Sequence, residues 1–103
     1  MPTRAFVRVE NYHLCGMYKH SGGSPENILP FLEEFNKKFT KKRGVDNEQK
    51  MAQLLRATVK LAKKHKFNTS LEYGYALYPV GTDLDQEFEY LLKEDGTVIY
   101  IVL

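Results

Sequence analysis

The sequence predicts a small α+β domain: a mostly antiparallel five-stranded sheet with two helices packed on one face, in the order β-β-α-α-β-β-β. Three observations lead there. Short runs with period-two alternation and β-branched or aromatic residues occur twice before residue 20 and three times after residue 72. Between them, apolar residues recur at helical spacing over two longer stretches. Gly22-Gly23, Gly44 and Asp95-Gly96 punctuate the chain where these runs meet. A length of 103 residues favours one domain over residues 1–103.

Residues 4–10 read as a strand, with Ala5, Val7 and Val9 on one face and Phe6 and Arg8 on the other. Tyr12 to Lys19 reads as its hairpin partner across a turn at Asn11. Ser24 and Pro25 suit the start of a helix. Pro30 would remove a helical hydrogen bond, so a turn is expected over 25–29 and the regular helix from Pro30 to Lys42. Ile28, Leu32, Phe35 and Phe39 supply its apolar stripe. Lys41, Lys42 and Arg43 suit the helix C-terminus and Gly44 its cap.

The second helix is expected from Asp46 or Asn47 to Lys66. It buries Met51, Leu54, Leu55, Thr58, Leu61 and Ala62 and turns Lys50, Gln53, Arg56, Lys60, Lys63 and Lys64 outward. The two helices are expected to form an antiparallel pair. Residues 73–80 read as a third strand ending at Pro79. Residues 87–93 and 97–102 form a final hairpin through Asp95-Gly96, a pair that favours a type I′ turn.

Composition narrows the function classes. Apolar content of 43% and aromatic content of 13% belong to a globular chain. The longest apolar run, Val98 to Leu103, is far shorter than the ~20 residues of a membrane helix, and the first residues lack the apolar core of a signal peptide. No membrane association is expected. The single cysteine, Cys15, cannot form an internal disulfide, and a cytoplasmic location follows as the default. Charge is unevenly spread: residues 37–66 carry eleven basic and two acidic side chains, residues 67–103 one basic and seven acidic.

No pattern in the chain specifies catalysis: there is neither a Gly-x-Ser-x-Gly elbow nor a phosphate-binding Gly-Lys-Ser/Thr. Neither an enzyme activity nor a cofactor is expected. His13 and Cys15 could offer two metal ligands, and Asp83, Asp85, Glu87 and Glu89 would share a face if extended. Neither set has the spacing of a metal site, so packing and a solvated face are the expected roles. Lys19, His20 and the Gly22-Gly23 backbone could cradle a small anion or phosphate at the entry to the helix, although a tight connection explains the same glycines. Lys37, Lys38, Lys41, Lys42 and Arg43, with Lys60, Lys63 and Lys64, could bind nucleic-acid phosphates. An antiparallel helix pair would hold those two clusters at opposite ends.

The stretch Tyr18-Lys19-His20-Ser21-Gly22-Gly23-Ser24-Pro25 resembles a pattern in small uncharacterised phage and virus proteins, roughly Tyr-Arg/Lys-His-Trp-Asp-Gly-Tyr-Pro, placed after a strand pair and before a helix. Tyr18, Lys19, His20, Gly23 and Pro25 match, while Ser21, Gly22 and Ser24 depart from it. The resemblance implies a viral or mobile-element origin and the α+β layout, and no particular activity. Seven tyrosines and six phenylalanines exceed the needs of one small core layer. Some are expected on the second face of the sheet, where they would favour a homodimer. The leading expectation is therefore a non-enzymatic viral or phage accessory protein that acts by protein–protein binding as a homodimer. Nucleic-acid binding through the basic helices is the second expectation, and a small-anion or phosphate-ligand binder or enzyme at residues 19–25 the third.

Overall fold

The computed structural model describes residues 3–64 and 75–103, and for residues 59 and 61–64 the backbone alone. The elements are β1 (Ala5–Val9), β2 (Gly16–Lys19), α1 (Pro25–Arg43), α2 (Asn47–Lys64), β3 (Tyr75–Tyr78), β4 (Phe88–Leu92) and β5 (Val98–Val102). The fold is α+β, as expected. The five strands form one sheet in the order β3-β2-β1-β4-β5. Three pairings are antiparallel; β1 and β4 are parallel, so the sheet is mixed. The first hairpin grows outward from one side of β1, and the last hairpin docks on the other side.

β3 and β4 point the same way, so residues 79–87 must return along the sheet to connect them. The helices cover one face of the sheet. Along the return Val80, Thr82, Leu84 and Gln86 are half-buried, while the odd-numbered residues between them are exposed. Phe6 points to the second face and is nevertheless only 2% exposed. Its ring lies over Gly16, where a Cβ would fall 2.5 Å from two ring atoms. Tyr18 and Tyr78 meet edge to face beside it, with centroids 5.7 Å apart. The second face thus holds aromatic side chains, as expected, and they are largely packed against the protein itself.

The core lies between the sheet and the helices. Ala5, Val7, Val9, Met17, Tyr90 and Leu92 face Ile28 and Leu32 of α1 and Met51 and Leu54 of α2. α1 starts at Pro25 and runs through Pro30, five residues earlier than expected. Pro30 is exposed and forfeits one backbone bond, a loss of ~3 kcal/mol. Full burial of Ile28 and Leu32, on either side of it along the stripe, is worth roughly 1.5–3 kcal/mol each. That burial favours the continuous helix. Ser24 occupies the N-cap position without capping; its Oγ accepts from Asn27 Nδ2 at 3.0 Å.

The β4–β5 turn also differs from expectation. Gly96 has φ 95°, but Asp95 is not in the left-handed region, as a type I′ turn would require. Lys93 N donates to Thr97 O and Gly96 N to Lys93 O, giving a three-residue loop with glycine at the bulge. The Asp95 carboxylate accepts from both the backbone N and the Oγ1 of Thr97, which ties Asp95 to the strand that follows the turn.

Two buried polar residues tie helices to this hairpin. Asn36, on the apolar stripe of α1, donates through Nδ2 to Lys93 O at 3.0 Å and Thr97 O at 2.7 Å. Lys50, expected on the outer side of α2, is 0% exposed, and its Nζ donates to Lys93 O at 3.2 Å. Burial pushes the Lys50 amine below the ordinary lysine range, opposed by Glu94, Glu10 and Asp95.

Candidate functional site: a cationic groove between the helices

One groove of about 860 Å³ runs between α1 and α2. Phe35, Lys38, Phe39 and Lys42 line it from α1 at i, i+3, i+4 and i+7 spacing. Gln53, Arg56, Ala57 and Lys60 line it from α2 at the same spacing. Each helix therefore gives the groove one whole face. Lys41 and Arg43 complete the lining at the end of α1. Among the described residues the lining holds six cations and no carboxylate. Glu34 lies one turn outside and pairs with Lys38 at 2.7 Å, which offsets part of the charge at that rim.

The groove has an aromatic wall. Phe35 and Phe39 stack with centroids 5.9 Å apart and planes 29° from parallel. Phe39 is buried while Phe35 keeps a half-exposed surface. Beneath Phe39 the buried Lys50 amine sits 5.6 Å from the ring centroid, so the ring is held from its inner side. Charged heads at the rim and an apolar strip between them suit a polyanion with flat apolar parts.

The basic residues expected to contact nucleic acid divide among these positions. Lys38, Lys41, Lys42, Arg43 and Lys60 come together in the groove. Lys60 shares this lining with the α1 cluster because it lies on the face of α2 that borders the groove. Arg56, outside both expected clusters, lies one turn before Lys60 on the same face of α2. Lys37 is exposed on α1 and outside the lining. Lys63 and Lys64 belong to α2, but their side chains lie outside the described residues, as do His65 and Lys66 entirely.

The Lys19–Gly23 turn is arranged differently. Lys19 is buried, and its Nζ donates to Tyr75 Oη at 3.0 Å and lies 4.5 Å from that ring. Gly23 N donates to Thr3 O, and a Cβ at Gly23 would fall 2.6 Å from that of Ala5. Gly22 takes φ 67°, and His20 is exposed, its Nδ1 2.8 Å from Tyr18 Oη. Lys19 and the Gly23 amide are thus engaged within the protein, and the turn seats β2 against the start of α1.

Neither metal-ligand set converges. Cys15 Sγ lies 3.8 Å from Tyr12 Oη, while His13 is exposed. Asp85 meets Arg4 at 3.5 Å and Glu89 meets Arg8 at 3.6 Å. Among the described residues no three His, Cys, Asp or Glu side chains gather as ligands. Also among them, no helix is long and apolar enough to cross a membrane.

No protein-family model, curated protein or solved structure matches this chain.

Proposed function

We propose that this protein binds single-stranded nucleic acid in the groove between α1 and α2. The observation that carries the reading is the convergence of Lys38, Lys41, Lys42 and Arg43 with Arg56 and Lys60 along one aromatic-walled channel. Cations set along a groove track a phosphate backbone, and an aromatic strip gives unpaired bases a surface to stack on. A duplex keeps its bases stacked inside and could use only the rim charges. The resemblance at residues 18–25 supports a phage or viral setting for this activity. The homodimer is a separate question that concerns the sheet.

Fluorescence anisotropy with a labelled oligothymidylate of ~20 nucleotides tests the proposal. If four to six groove cations neutralise phosphates, log K should fall against log salt with a slope of about −3 to −4. Arg56→Glu and Lys60→Glu should each weaken binding about tenfold or more and flatten that slope. Lys37→Glu makes the same charge change outside the groove and should weaken binding far less. Absence of binding at about 50 mM salt overturns the proposal, as does an equal loss from Lys37→Glu and Arg56→Glu.

A further inference from the structure

Among the described residues β5 is an edge strand with its outer side unpaired. Its side chains are exposed on both faces: Ile99 51%, Tyr100 42%, Ile101 53% and Val102 70%, with Leu103 at 60%. Edge strands are ordinarily guarded by charges, proline or a bulge. Val98 to Leu103 has none of these among its side chains, and its backbone pairs regularly with β4.

The hydrogen-bond pattern shows which backbone groups are free. Lys93 N donates to Thr97 O and Leu103 N to Glu87 O. Antiparallel pairs alternate between bonded and non-bonded, so residues 97, 99, 101 and 103 turn their backbone groups toward β4. Val98, Tyr100 and Val102 turn theirs outward. Any strand added to this edge must bond to those three.

The strand reads Val98-Ile99-Tyr100-Ile101-Val102, which is the same in both directions. We propose that β5 pairs antiparallel with β5 of a second copy of this chain, on a two-fold axis that passes between the two Tyr100 residues. In that register Val98 faces Val102 of the second copy, Ile99 faces Ile101, and Tyr100 faces its own counterpart. Each outward residue exchanges both backbone bonds with its mate, so every free group found above is satisfied. Identical apolar side chains meet on each face, as a self-complementary two-fold interface requires. Tyr100 already lies 5.6 Å from Tyr90 and 6.5 Å from Phe88, centroid to centroid, so the two aromatic clusters join across the axis. The two-fold uses the same edge of both copies, so this pairing is complete at two chains. The helices of both copies then lie on one side of a continuous ten-stranded sheet.

Cross-linking tests both the surface and the register. In a Cys15→Ser background, Tyr100→Cys places two sulfurs at a bonded pair with Cα atoms ~5.5 Å apart, within disulfide range. It should give a covalent dimer under mild oxidation. Val102→Cys, whose mate is residue 98, should give none. By size-exclusion with light scattering, wild type should run at twice its 12.0 kDa mass. Tyr100→Pro takes from the backbone only an outward N–H, and from the side chain the ring that meets its counterpart; it should run at the single-chain mass, with its far-UV circular dichroism unchanged. Val102→Lys, at the most exposed position, is the second variant and should also run as a monomer. A wild-type monomer at ~100 μM, the range where weak association becomes visible, overturns the proposal. So does equal cross-linking at 100 and 102, persistence of the dimer in folded variants, or assembly beyond two chains.

Discussion

Tyr90 joins β4 to the turn that opens α1, and Tyr90→Phe isolates that link. The hydroxyl donates to Gly23 O at 2.6 Å, and the side chain is fully buried. Removing the hydroxyl keeps the ring and its contacts with Phe88 and Tyr100. It leaves the Gly23 carbonyl without this donor, which costs about 1–3 kcal/mol. The same burial makes the contribution of Tyr90 depend on pH. Burial pushes the Tyr90 phenol from the ordinary 10.0 to about 12, with smaller contributions from Tyr100 and Glu26. Two pH units correspond to ~2.7 kcal/mol between the ionised and neutral forms. The sign follows from proton binding. Between pH 10 and 12 the unfolded chain has lost this proton and the folded one holds it, so stability falls as pH rises. Below pH 10 the contribution is complete. Urea unfolding followed by far-UV circular dichroism should therefore show the variant less stable by about 1–3 kcal/mol at neutral pH. That gap should stay level to about pH 10 and narrow above it. Other titrating groups are common to both proteins and cancel in the difference. A variant as stable as wild type at neutral pH, or a gap unchanged at pH 11, refutes the reasoning.

Two further outcomes follow from the packing. Gly16→Ala would set a Cβ 2.5 Å from the Phe6 ring and 2.8 Å from Val7 O, so either the buried ring or the β1–β2 ladder must shift. A loss of about 1–3 kcal/mol in urea unfolding is expected, and a neutral result would show that Phe6 has room to move. Lys50→Met removes an ammonium from a fully buried site, while Lys93 O keeps its bonds from Asn36 Nδ2 and Gly96 N. Stability at neutral pH should be equal or higher, as for other buried charges replaced by apolar groups of similar volume. The wild type should gain stability as pH rises toward 10, because the unfolded chain holds the Lys50 proton more tightly than the folded one. The variant should lack that gain, and a loss above about 2 kcal/mol at neutral pH would make the amine a net stabiliser.

The parts of this fold that sequence reading reaches are those set by local physics. Alternation finds all five strands, although β2 begins at Gly16 and not at Tyr12; glycine in the left-handed region ends α1 at Gly44, and the two apolar stripes find most of the core. What escapes it depends on partners distant in the chain. Asn36 and Lys50 look like surface residues until the Lys93 carbonyl, 57 and 43 positions away, accepts from both. The parallel pairing of β1 with β4 carries no local signature either, since each strand alternates as it would in an antiparallel sheet. The candidate groove was half legible. The abundance of lysine is plain, but grouping it by position along the chain hid Arg56 and separated Lys60 from Lys42. Grouping by helical face joins them, and that step needs only a period of 3.6. β5 shows the opposite dependence. Its palindrome stands in the sequence, yet self-complementarity means little in a strand with neighbours on both sides. Only the position of β5 at the rim, with Val98, Tyr100 and Val102 turned outward, makes that symmetry a rule for pairing. The groove and the edge use separate residues. Loss of oligonucleotide binding in Arg56→Glu and loss of the dimer in Tyr100→Pro should therefore occur independently.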